Sequence, residues 1–214
     1  MKKNSKTLRI CYIAIFTAII CVISQLPGIP LPGGVPMTLQ TLVIPLAGLI
    51  LGPLDGFVAT LLYILLGIVG LPVFSGFTGG IGIVMGATGG FIVSFPLMAL
   101  FAGLGDRLGE KAGGRIAEKS GEKAKEKSVD KTQKKVMYYV SLYAGLVLGA
   151  VINYVVGTLW FAKIYLGAIN SENMAAGFAA CVLPFIPTSI IKIVLAGIIG
   201  LTIKRALRKA GLLK

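Results

Sequence analysis

The chain has 214 residues, 56% hydrophobic and only 14% charged, with a mean hydropathy of +0.88 and a formal net charge of +13. From Ile10 to Gly105 there is one formal charge, Asp55, so a soluble domain with a polar skin is excluded and a polytopic helical membrane protein is expected. There is no histidine, which removes His-based acid–base chemistry and His-ligated metals.

The first apolar run, about 8–26, follows Lys2, Lys3, Lys6 and Arg9. No small-x-small cleavage pattern follows Ser24, and Pro27 and Pro30 come next, so this reads as a first span and not as a cleaved leader. Cys11 and Cys21 lie about 15 Å apart along one helix axis, too far to bridge, and with Cys181 they form no framework. A Pro/Gly segment, Pro27 to Pro36, separates this span from apolar runs at about 37–52 and 55–71. Next comes Gly70 to Gly90, with eight glycines and no charge. Such backbone persists at membrane depth only where protein buries it or where it lines a cavity, so it predicts a binding site or a tight helix crossing.

A fourth span at about 81–104 leads into a charged stretch, 105–136, whose alternating Glu and Lys predict a solvated, partly helical linker. Spans at about 137–162 and 184–204 complete a set of six. Four basic residues precede Ile10, ten lie between Asp106 and Lys135, and five follow Ile203. With both termini inside, every one of these clusters falls in the cytoplasm, which is where basic flanks belong. This placement, and not nucleic acid, accounts for the positive charge. The outer face then carries the Pro/Gly segment, the glycine-rich run and a loop through Asn170, Ser171, Glu172 and Asn173 towards Pro184-Phe185-Ile186-Pro187.

The catalytic inventory is poor. Asp55 and Glu172 are the only carboxylates of the apolar portion and lie on opposite sides in this topology. No GxxxxGK[ST] occurs, and Met85 stands where a dinucleotide fingerprint would need glycine after Gly80-Ile81-Gly82. Lys192, five residues after Pro187, falls in the outer half of the last span, where a cation costs about 2.5–3.5 kcal/mol and faces the bundle interior with a partner. It reads either as an amine meeting a polar ligand or as a lysine snorkelling to the interface, with Ser189 one turn away on its face. Asn153 needs a partner, whether a helix or a ligand. Small-residue pairs at Ala14/Ala18, Gly48/Gly52, Gly82/Gly86 and Gly145/Gly149 permit close helix contact.

The residues Gly70-Leu71-Pro72-Val73-Phe74-Ser75-Gly76, Gly79-Gly80-Ile81-Gly82 and Gly86-Ala87-Thr88-Gly89-Gly90-Phe91 together resemble the BioY family, the biotin-specific S components of energy-coupling factor (ECF) transporters. The resemblance extends to Val35-Pro36-Met37-Thr38-Leu39-Gln40, Leu51-Gly52-Pro53, Gly157-Thr158-Leu159-Trp160 and Pro184-Phe185-Ile186-Pro187 with Lys192. It implies one all-helical domain of six spans in the cytoplasmic membrane of a prokaryote, binding biotin near the outer face. The implied partners are a transmembrane coupling subunit, docking on Ala14 and Ala18, and ABC-type ATPases that bind the ATP; no cofactor is expected in this chain. Under this resemblance Gln40, Thr78, Ser189 and Asn153 suit the ureido ring, Phe74, Phe91, Tyr154 and Trp160 the apolar body, and Lys192 a polar contact. Gly79, Gly80, Gly89 and Gly90 would let backbone approach the ligand. The chain departs from the family at Thr188-Ser189, where Gly-Asp is usual. That leaves open an S component for another small ring-bearing vitamin, and, in a different class, a stand-alone ion-driven carrier.

Overall fold

The computed structural model describes residues 5–29, 35–119 and 127–212. Pro30 to Gly34 of the Pro/Gly segment, residues 120–126 of the charged linker, and Lys2, Lys3 and Lys214 lie outside them, as do the side chains of 113–119 and 127–131 that carry much of the expected Glu/Lys pairing. Among the described residues the fold is helical, with two isolated antiparallel bridges, Ile29–Met37 and Phe74–Thr78.

Helix α1, Ser5–Gln25, ends just before Pro27. Helix α2, Gln40–Leu51, stops at Gly52, whose φ of +92° reverses the chain, and Pro53 opens α3, Pro53–Ile68. Arg9 grips both Asp55 oxygens at 2.8 Å and so ties the start of α1 to the first turn of α3. The expected fourth span is divided. A five-residue helix α4, Ile81–Met85, precedes a break at Gly86, and α5 then runs from Gly89 to Lys119. Helix α6, Lys127–Ile164, packs along α5. Both helices continue well into the stretch expected as a linker.

The expected outer loop at 163–183 also differs. It holds α7, Ser171–Cys181, whose first turn is capped by the Asn170 side chain accepting from the Asn173 N–H at 2.7 Å. A single 3₁₀ turn, Leu183–Phe185, leads into α8, Ile186–Lys209. Among the described residues, four helical stretches are long and apolar enough to cross a membrane: Lys6–Gln25, Gly89–Ala112, Thr132–Ile164 and Ser171–Lys209. At 12 and 16 residues, α2 and α3 are about 18 and 24 Å long, short of the roughly 30 Å hydrocarbon core.

Backbones touch where glycine allows it. A Cβ on Gly48 would sit 1.9 Å from the Ala99 carbonyl oxygen of α5, and one on Gly145 would sit 2.5 Å from that of Phe101. Of the expected small-residue pairs, Gly82/Gly86 makes no helix crossing; Gly82 faces open space. At the basic end of the bundle Asp106 is not solvated. It is 3% exposed, accepts from the Tyr138 hydroxyl at 2.6 Å, and pairs with Lys204 of α8.

Gly48→Ala is expected to destabilise the fold by about 1–3 kcal/mol, because α2 must move off α5. A lowered unfolding midpoint in detergent measures it; an unchanged midpoint would mean that this contact does not set the packing.

Candidate functional site

The short α2 and α3 leave a layer near the starts of α2 and α8 that non-helical chain fills. Residues 70–80 fold into it, held by Gly80 N–H to Gly67 O at 2.7 Å and Phe74 N–H to Thr78 O at 2.9 Å. Phe74 turns inward, 1% exposed, and meets Tyr63 edge-on at 5.6 Å between centroids. Ser75, in the same loop, accepts from the Gly28 N–H at 3.2 Å, tying this loop to the end of α1.

Beneath it lies a cavity of about 200 Å³. Its walls are aromatic and aliphatic, with Phe74, Phe91, Ile92, Phe95 and Phe185 prominent. Its polar groups are Thr38, Gln40, Thr41, Ser75, Thr78, Thr88, Asn153, Tyr154 and Lys192. An apolar enclosure with a few convergent polar groups is the usual form of a small-molecule site.

The polar groups are already oriented. Lys192 donates to the Thr38 carbonyl at 2.7 Å and to the Thr41 hydroxyl at 3.1 Å, so α8 holds the chain just before and within the first turn of α2. Its amine therefore points into the bundle. Gln40 donates to the Tyr63 hydroxyl at 2.6 Å and accepts from Thr38 at 2.9 Å. Asn153 donates to the Phe91 carbonyl at 2.9 Å and the Ser94 hydroxyl at 2.8 Å, which locks α6 to the start of α5. The Tyr154 hydroxyl bonds the Ser189 hydroxyl.

Of the residues expected from sequence, Gln40, Phe74, Thr78, Phe91, Asn153, Tyr154 and Lys192 converge on this cavity. Ser189 lies one layer deeper, on an adjoining void of about 10 Å³ shared with Thr41, Met98, Asn153, Tyr154 and Lys192. None of Gly79, Gly80, Gly89 and Gly90 lines the cavity. A Cβ on Gly79 would meet the Leu71 carbonyl oxygen at 2.3 Å, one on Gly89 that of Val84 at 1.7 Å, and one on Gly90 the Trp160 Cβ at 2.3 Å. Gly80 has a φ of +97°. Contact within the protein and a turn account for glycine at these positions. Trp160 is absent from the wall too; it packs on Gly90, and its indole N–H donates to the Gly86 carbonyl at 2.9 Å.

Thr38, Thr41, Thr88, Phe95, Cys181 and Phe185 line the cavity without having been singled out for it. Thr41 was findable as a hydroxyl one turn from Thr38 at the start of an apolar helix. Cys181 carried no signal beyond a small apolar residue. Ala14 and Ala18 lie elsewhere, exposed along the outer side of α1.

A model described as the BioY family matches residues 1–209. The biotin transporter BioY2 of Lactococcus lactis subsp. cremoris is 34% identical over 205 residues, covering 96% of this chain and 94% of that protein. The probable biotin transporter BioY of Pyrococcus horikoshii is 45% identical over 100 residues, 47% of this chain and 60% of that protein. The biotin transporter BioY of Thermotoga maritima is 46% identical over 90 residues, 42% of this chain and 52% of that protein. The chain thus spans only 60% and 52% of the length of these last two relatives. Among solved structures, the crystal structure of the S-component for biotin from an ECF-type ABC transporter superposes with a TM-score of 0.68 at 26% identity, covering 98% of this chain and 95% of that one. With a family model across nearly its whole length and a relative matched end to end, this chain belongs to the BioY family.

Proposed function

We propose that this chain is the substrate-specific S component of an ATP-driven ECF transporter, and that it binds biotin in the cavity between α2, α5, α6 and α8 for uptake across the plasma membrane. The observation that carries the reading is the cavity itself: a small aromatic enclosure with one half-buried cation and a set of hydroxyls and amides. Biotin presents an apolar thiolane body, a ureido group and a carboxylate, and so asks for both kinds of wall. Lys192 donates to a ligand oxygen, Asn153 and Tyr154 frame the polar end, Gln40 and Thr78 supply hydrogen bonds, and Phe74 and Phe91 enclose the ring. Ser189 acts through Tyr154, which it orients. The chain is not an enzyme; ATP is hydrolysed by partner subunits.

In this reading residues 1–214 form one membrane domain of six spans with both termini in the cytoplasm. The extended ends of α5 and α6 then project from the cytoplasmic side. The transmembrane coupling subunit docks on the exposed Ala14/Ala18 side of α1, where small side chains allow close approach of a helix.

Calorimetric titration of biotin into the detergent-solubilised protein, with thiamine and riboflavin as controls, tests the ligand. Stoichiometric binding of biotin alone is expected; binding of a control vitamin instead would reassign the substrate. Lys192→Ala is expected to weaken biotin about tenfold or more while the protein stays folded, from the loss of one charge-assisted hydrogen bond. An unchanged dissociation constant removes Lys192 from the site. Ala14→Trp with Ala18→Trp is expected to abolish co-purification with the coupling subunit and spare biotin binding; normal assembly would discredit that docking face.

A further inference from the structure

At the basic end of the bundle a second cavity of about 200 Å³ opens between α5, α6 and α8. It shares no lining residue with the first. Its walls are Glu110, Tyr138, Leu201, Lys204, Arg205 and Arg208. Lys204 pairs with the buried Asp106 and, at 3.1 Å, with Glu110, which also takes Arg208 at 2.7 Å. Three cations meet two carboxylates, and Arg205 brings the charge in excess; its guanidinium reaches the Tyr139 hydroxyl at 3.5 Å. Arg205 and Arg208 stand three residues apart on α8, the spacing that puts two side chains on one face. The Arg208 side chain is 42% exposed, so part of its donor fork faces outward. Two such forks converging on one space match the oxygens of a phosphate group, which guanidinium recognises by paired N–H donors.

We infer that this cavity binds a phosphate group, held by Arg205 and Arg208 with Lys204 behind them. The site begins where the apolar run of α8 gives way to Lys204, the depth at which an anionic phospholipid presents its phosphodiester. Free phosphate carries the same chemistry. Glu110 competes from within the protein for Arg208, so removing its charge strengthens anion binding. A network that merely held three helices together would lose stability on that change and gain no affinity.

The test uses the full chain in two arms. In nanodiscs of phosphatidylcholine with and without phosphatidylglycerol, native mass spectrometry counts retained phosphatidylglycerol. In detergent, inorganic phosphate is titrated and the shift in unfolding midpoint is read. Arg205→Gln and Arg208→Gln are each expected to lower retention about fivefold, and Glu110→Gln to raise it. Retention that follows this order with no response to inorganic phosphate assigns the site to a lipid. A phosphate response following the same order assigns it to the free ion. Equal retention of both lipids with no phosphate response overturns the proposal. So does retention that either arginine substitution leaves unchanged, or a Glu110→Gln chain that binds no better than the parent. Both arginines are exposed, and biotin binding at the other cavity serves as the check that each variant is folded.

Discussion

Backbone that leaves the helix inside a membrane must find its hydrogen-bond partners within the protein, because lipid offers none. The segment from Gly70 to Gly80 finds such partners within the protein, and the rest of the candidate site follows from how it does so. Gly76 donates to the Gln25 carbonyl at 3.3 Å, Gln25 donates to the Pro72 carbonyl at 3.0 Å, and Thr78 donates to the Ser75 carbonyl at 3.0 Å. With its polar groups tied to α1 and α3, the loop is a fixed roof. Phe74 can then be presented inward at one position, between Tyr63 and the cavity.

The floor is set in the same way. Lys192 is the one cation in the first half of α8, and its cost is offset by the Thr38 carbonyl just before α2 and the Thr41 hydroxyl within it. Asn153 is buried, and its amide N–H groups are both bonded to α5. These bonds join α2, α5, α6 and α8 around one space. Polar side chains that would collapse onto each other in an empty apolar pocket are instead held by backbone atoms that do not move independently. The geometry is prepared before a ligand arrives, and that lowers the ordering cost of binding.

Much of the fold was legible because hydropathy and breakers act locally. Gly52-Pro53 marks a reversal on any reading, and the helices α1, α2 and α3 fall within or close to the stretches at 8–26, 37–52 and 55–71. The divided fourth helix was harder, since Gly86 breaks α4 from α5 within an otherwise apolar run. Helix α7 carried a readable start in Asn170 with Glu172 behind it, hidden by the expectation of an outer loop. The glycines of the site region are read less directly, for a different reason. Close approach calls for glycine whatever stands opposite, and sequence does not say whether that is a ligand, a carbonyl or Trp160. Asp106 was misplaced because one carboxylate among many charged neighbours gives no sign that it turns inward to meet Lys204, 98 residues away.

The shortness of α2 and α3 also bears on how the two helices are held. Neither is long enough to partition as an independent span, and the turn between them is a single glycine followed by proline. A Cβ on Gly56 would sit 2.6 Å from the Gly48 Cα, so the two backbones are in contact from the turn outward. The pair is therefore one packed hairpin, and Arg9 of α1 clasps Asp55 at its turn. A salt bridge and a tight turn thus fix the placing of two helices too short to be placed by span length alone.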